Sequence, residues 1–242
     1  MTLPLGLWQW LAAAAVTLAG TILQGSIGFG VALLGAPLLY LIEPWLVPGP
    51  ILIVGLAVPL LVALREWRAV DTREIGRMVP GMVVGVAAAG LVVRAVGADT
   101  LGLLFGALVL LAVGLSLRQQ PPVPGRGTLL AAGGLAGFMA TATSICGPVL
   151  ALAFQDRGGS RLRGSLSACL IPIGGFALLA LAWAGRLGAR EWLTGVSLLP
   201  AVLLGFFVSA ATARMLDRQW LRTAVLAVSA LAAMLAIVRA LV

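Results

Sequence analysis

Residues 129–154 read LLAAGGLAGFMATATSICGPVLALAF, two apolar stretches divided by a short polar break that carries a glycine and a proline. Leu129 to Ala140 and Ile145 to Phe154 supply about 12 and 10 residues, or roughly 18 and 15 Å of helix, against a bilayer core of about 30 Å. Neither stretch can cross alone. The segment therefore predicts a re-entrant hairpin, which enters a membrane and leaves on the side it came from.

The flanking sequence supports a membrane setting. Of 242 residues, 61% are hydrophobic and 10% charged, with a mean hydropathy of +1.11, a balance that no water-soluble domain could cover with polar surface. Apolar runs such as Leu46 to Leu64, Leu166 to Ala184 and Leu193 to Ala213 match the thickness of the hydrocarbon core. The 31 Gly and 13 Pro are tolerated in membrane helices, where neighbouring helices re-satisfy freed backbone groups. The net charge of +8 comes from 16 basic residues, all Arg and scattered through short loops, which suits membrane topology rather than nucleic-acid binding. Cys146 and Cys169 have neither disulfide-framework nor metal-ligand spacing. The first apolar run, Leu5 to Leu23, lacks the basic flank of a signal peptide and is expected to be retained.

The chain is internally repeated. PGMVVGVAAAGLVVRAVGADTLG from Pro80 aligns without gaps on PAVLLGFFVSAATARMLDRQWLR from Pro200, placing Gly85 on Gly205 and Arg94 on Arg214. LAGTILQGSIGFG from Leu18 aligns on LAGFMATATSICG from Leu135, with Gly30 on Gly147. The expected fold class is an all-α polytopic membrane protein of two inverted-topology repeats, each a broken or re-entrant helical hairpin plus three transmembrane helices. The first repeat is 1–120, with its hairpin at about 5–42 and spans at about 46–64, 78–94 and 101–117. The second is 127–242, with its hairpin at about 129–154 and spans at about 166–184, 193–213 and 221–238. The first hairpin is long enough to be read as spanning or as re-entrant.

Arg placement tests the second hairpin. If it returns to its starting side, Arg65, Arg68, Arg73, Arg77, Arg118, Arg126, Arg157, Arg161, Arg163, Arg214, Arg218 and Arg222 share one face, twelve against four. A single crossing would split them nine against seven. The positive-inside rule selects the hairpin, puts the Arg-rich face in the cytoplasm, and places both termini outside. All seven Trp fall at or near segment ends, as an interfacial belt does.

Broken helices at matching positions of inverted repeats point to a transporter's binding site. The candidate substrate-binding residues are Gln24, Gly25, Ser26, Gly28 and Gly30 in the first break and Thr141, Thr143, Ser144, Cys146 and Gly147 in the second. Hairpins entering from opposite faces are expected to meet near the midplane, each offering free N–H groups at a new helix start, with hydroxyl and amide donors beside them. The competing reading is that the small residues merely let helices pack closely. Cys146 reads as lining the site by position, not as a reactive thiol. There is no His and no Lys, and all eight acids fall in loops or at segment ends, so no mid-membrane carboxylate relays a proton or holds a cation. A neutral, donor-rich site fits a small anion. For Arg94 and Arg214 an anion-attracting vestibule competes with interfacial anchoring, and anchoring is the favoured reading. No catalytic residue, metal ligand or cofactor is expected, because neither Cys146 nor the hydroxyls have a His or carboxylate beside them.

QGSIGFGVALLGAPLL in the first half and AGFMATATSICGPVLAL in the second, together with the duplication, give the chain a resemblance to the TauE/SafE family of sulfite and organosulfur anion exporters, also called the four-toluene-sulfonate uptake permease family. Members typically carry a Gly-rich run before a Pro-containing apolar stretch at both places. Gly28, Gly30 and Pro37 preserve the first run, whereas Ile145 and Cys146 stand where more glycines are usual. The resemblance implies a multi-pass protein of the bacterial inner membrane, in contact with the lipid bilayer and no nucleic acid, and compatible with a homodimer. It implies transport of sulfite, sulfoacetate or another sulfonate, in either direction. The membrane potential makes export the leading direction for an anion, and the two hairpins make alternating access at their tips the leading mechanism of a secondary transporter. An anion channel, or an uptake permease for another small anion, is the alternative on the same scaffold.

Overall fold

The computed structural model describes residues 5–27, 31–66, 68, 70, 72–117, 125–154, 159–212 and 218–241. Its elements are α1 (Leu7–Ile27), α2 (Val31–Ile42), a 3-10 turn (Pro44–Leu46), α3 (Gly49–Glu66), α4 (Thr72–Ala95), α5 (Ala98–Leu117), α6 (Arg126–Thr143), α7 (Gly147–Ala153), α8 (Gly159–Trp183), α9 (Ala189–Ser197), α10 (Leu199–Thr212) and α11 (Arg218–Leu241). There is no strand among the described residues. Seven segments are long and apolar enough to cross a membrane, with α2 a shorter apolar helix. Large side chains such as Leu64 (74% exposed) and Phe207 (72% exposed) face outward, the arrangement of a bundle whose solvent is hydrocarbon. The chain is a multi-pass membrane protein.

Helices α4, α6 and α8 begin earlier than the sequence suggests, at Thr72, Arg126 and Gly159, and three further differences have a local reason. Helix α6 runs to Thr143 rather than Ala140, because the Thr141 and Thr143 hydroxyls donate to the carbonyls of Gly137 (2.9 Å) and Met139 (2.7 Å) and sit comfortably inside the helix. Helix α7 is correspondingly short, 7 residues starting at Gly147 with Pro148 in its first turn. The apolar run at 193–213 is two helices that meet at Leu198, whose N–H bonds back to Thr194 and Gly195.

Helices α1 and α2 fold back on each other. At the open end the Gln9 amide donates to Glu43 Oε1 at 2.6 Å, and at the closed end the Val31 N–H donates to Gln24 Oε1 at 3.1 Å. The 12 residues of α2 give about 18 Å of helix, too short to cross a hydrocarbon core alone.

The tightest contact is between α4 and α6. Gly81 and Gly85 of GMVVG meet Gly133 and Gly137 of GGLAG, two facing G-x-x-x-G runs. A Cβ at Gly85 would overlap the Gly134 carbonyl, one at Gly81 that of Leu130, and one at Gly133 that of Met78. Backbone lies against backbone, the approach that only glycine allows. The register rises together along both helices, so α4 and α6 run parallel. Helix α4 also runs parallel to α8, since Gly90 meets Ala180 and Arg94 lies 4.6 Å over the Trp183 ring. Helix α3 runs antiparallel to α8, with Leu52 against Ala177 and Leu181 and Gly174 against Leu56. Helices α5 and α11 are antiparallel too, Gly102 facing Ala240 and Gly106 facing Ile237.

These pairings form a pattern. Exchanging α1, α2, α3, α4 and α5 for α6, α7, α8, α10 and α11 maps α1/α10 onto α6/α4, α2/α11 onto α7/α5, and α3/α8 and α5/α11 onto themselves.

Candidate functional site

At the second break the chain turns through Ser144, which sits in the left-handed region at φ 66 and ψ 4 and returns its N–H to the Ala140 carbonyl at 2.8 Å. That conformation is unfavourable for a residue with a Cβ. The Ser144 hydroxyl compensates by donating to the Pro48 carbonyl at 2.9 Å, which pins the tip of the hairpin to the residue preceding α3. Behind it, the Ile145 N–H donates to Thr143 Oγ1 at 3.2 Å. Cys146 is the N-cap of α7 and its side chain caps nothing. The first turn of α7 therefore begins without a side-chain acceptor, and Pro148 removes one of its donors altogether.

The first break is built differently. Gln24, near the end of α1, turns its side-chain oxygen to the first N–H of α2, the role that Ser, Asp or Asn usually fills at a helix start. Its amide nitrogen remains as a donor.

Both breaks reach one cavity of about 50 Å³. Gln24, Ala32 and Leu33 line it from the first hairpin, and Ser144, Ile145, Cys146, Gly147 and Pro148 from the second. Ile51, Leu52, Gly55 and Leu56 of α3 and Leu170, Ile173 and Gly174 of α8 close it. No side chain in this lining carries a formal charge. The cavity lies between the N-terminal end and the middle of α3. It also borders the middle of α8, at Leu170 to Gly174.

Of the candidate residues, Gln24, Ser144, Cys146 and Gly147 share this cavity. Thr141 and Thr143 are fully buried beside it rather than in its lining, with their protons given to helix carbonyls. Gly25 and Ser26 belong to the last turn of α1, their side chains outside the described residues, and Gly28 and Gly30 lie outside the described residues entirely. Arg94 packs on Trp183, the interfacial-anchor geometry, while Arg214 lies outside the described residues.

Gly55 and Gly174 escaped the sequence reading. LIVGLAVPLL around Gly55 aligns on IPIGGFALLA around Gly174 at nearly the spacing of the other repeat matches, so a glycine at the same place in both first spans was the available signal. It was hidden because isolated glycines inside apolar runs are common in membrane helices.

Against known families, the model described as Sulfite exporter TauE/SafE matches residues 12–236. No curated protein and no solved structure gives a significant match.

Proposed function

The chain belongs to the sulfite exporter TauE/SafE family, and from that premise we propose that it is a secondary transporter exporting a small sulfur oxyanion across a bacterial inner membrane by alternating access at the two hairpin tips. The family supplies the transporter class. The observation that carries the finer reading is the shared cavity, where two helix breaks distant in sequence meet in a small, uncharged, partly polar space.

Size argues for the smallest member of the substrate class. A cavity of about 50 Å³ has the scale of a few water molecules. Sulfite fits that scale, whereas sulfoacetate or a larger sulfonate requires the hairpins to separate. The donors suit an anion: the Gln24 amide, the Ser144 hydroxyl, and the N–H groups where α7 begins.

The hydrogen bond from Ser144 to Pro48 gives this reading a mechanism. In the present conformation the hydroxyl proton belongs to the Pro48 carbonyl. An anion in the cavity competes for that proton with a charge-assisted bond roughly twice as strong as a neutral one. Winning it frees the second tip from the start of α3, so occupancy is linked to movement of the hairpin. Export down a negative-inside potential gains about 2.3 kcal/mol per charge per 100 mV, and no side-chain proton carrier is needed.

The two-repeat arrangement at 1–120 and 127–242 is part of the same proposal. It is supported by the exchangeable pattern of helix pairs and by the antiparallel course of α3 against α8 and of α5 against α11, which an in-plane pseudo-two-fold axis would generate. The parallel course of α6 and α8 relative to α4 supports a second hairpin that returns to its starting side.

The test is flux of labelled sulfite, sulfoacetate and a sulfonate panel in proteoliposomes, with membrane potential and pH gradient imposed separately. Saturable sulfite movement that accelerates counterflow is the expected result. Movement without saturation or counterflow would indicate a channel, and no movement of any sulfur anion would remove the substrate class.

A further inference from the structure

A second and larger cavity, of about 370 Å³, lies next to the first. Tyr40, Trp45 and Phe105 give it aromatic walls, Val47, Pro48, Val93 and Leu101 line it with aliphatic groups, and Arg186 and Glu191 stand at it from the α8–α9 side. The two cavities share a partition. Pro48 lines the large one, and its carbonyl accepts the hydroxyl of Ser144, which lines the small one. The large cavity is thus a vestibule, one hydrogen bond away from the proposed transport site.

Its chemistry is not that of a plain water-filled entrance. The rings of Tyr40 and Phe105 stack with centroids 4.6 Å apart and planes 13° from parallel, a flat apolar surface of fixed orientation. The Trp45 indole adds an aromatic wall, its N–H buried out of the open space and without a partner among the described residues. The guanidinium of Arg190 lies 3.8 Å over the Trp45 ring, which holds the indole in place and adds positive charge. Arg186 is tethered through one nitrogen, which donates to the Val96 carbonyl at 3.1 Å. A guanidinium has five N–H donors, so most of its fork remains to offer. Glu191 is turned to the Gly188 N–H at 2.7 Å, as a cap of α9. The volume and the pairing of aromatic walls with a few fixed polar groups are those of small-molecule sites.

We propose that this vestibule is a second ligand site, for an organic anion carrying a flat apolar ring system, an aryl carboxylate being the simplest class. The carboxylate meets the Arg186 fork, and the ring lies against the aromatic wall of Tyr40, Trp45 and Phe105. Such an anion is held in front of a cavity too small to admit it, so the two compartments sort anions by size.

The experiment is calorimetric titration of the purified full chain with 2-naphthoate and, separately, with 2-naphthylmethanol, which keeps the ring and lacks the charge. It reads binding without flux, so its result is independent of which anion is transported. Saturable binding of 2-naphthoate is expected, with affinity lower by about tenfold for Arg186→Gln, which loses the charge-assisted bonds. Leu101→Trp, which fills the cavity without touching a polar group, is expected to remove binding. Each variant is first checked for an unchanged thermal midpoint, and Leu101→Trp serves where a polar variant fails that check. No saturable binding, equal affinity for the neutral alcohol, or an affinity indifferent to both substitutions would overturn the proposal.

Discussion

Glycines serve opposite purposes in two parts of this molecule. Along the α4–α6 seam, Gly81, Gly85, Gly133 and Gly137 are occupied space, because a Cβ at any of them would strike the main chain of the other helix. At the cavity, Gly55 is vacant space, and a Cβ there would meet nothing within 4 Å. The first set locks two helices that belong to different halves of the sequence. The second leaves room where the two hairpin tips converge. One residue type thus builds the rigid frame and the void beside it, and only the neighbours tell them apart.

The sharpest way to break that comparison is to add one methyl group to the seam. Gly85→Ala puts a Cβ on the Gly134 carbonyl, and backbone cannot yield as a side chain can. The variant is expected to lose about 3 kcal/mol or more, the upper range for overpacking, and to show a large fall in folded yield by fluorescence-detected gel filtration. Gly76→Ala on the same helix, exposed and with nothing within 4 Å, is expected to gain about 0.5–1 kcal/mol from helix propensity. If both behave alike, the seam is not the close-packed frame described above.

A middle-sized effect is expected at the cavity. Gly55→Val projects an isopropyl group into a space of about 50 Å³ without striking a neighbour at its first atom. Sulfite flux in proteoliposomes should fall on the order of tenfold, about 1.4 kcal/mol in the limiting step. The thermal midpoint should move by no more than about 2–4 °C, the shift that 1 kcal/mol gives a chain of this length. Retained flux would separate this cavity from the transport route.

What the sequence could disclose follows from the range of the interactions involved. The membrane class and an interruption between Thr141 and Pro148 were legible, because composition, glycine and proline act locally, whereas α6, at 18 residues, is longer than the 12 expected. The convergence of Gln24 with Ser144, Cys146 and Gly147 followed from the duplication. The fate of individual hydroxyls was not legible. Thr141 and Thr143 read as site donors, yet a helix that continues three residues further turns both onto carbonyls one turn back. Ser144 reads much like them, and the left-handed turn sends its proton to Pro48 instead. The glycine seam was equally hidden, since GMVVG and GGLAG lie in different halves and nothing local to either says that they face each other.

The smallest expected effect isolates the Ser144 hydroxyl from its backbone. Ser144→Ala removes the bond to Pro48 and keeps a Cβ in the left-handed region, so about 1 kcal/mol of stability should be lost. Ser144→Gly removes the same bond but relieves the left-handed strain, worth roughly 1–2 kcal/mol, and should be at least as stable as the native chain. Thermal midpoints will therefore order the two variants with Gly above Ala. If the hydroxyl binds the anion or times the release of the hairpin, flux falls several-fold in both, whatever their stability. If Ser144 serves only to make the turn, Gly restores what Ala loses, and flux follows the midpoint. Because stability moves in opposite directions in the two variants while the hydroxyl is absent from both, a common loss of flux can come only from the missing proton donor.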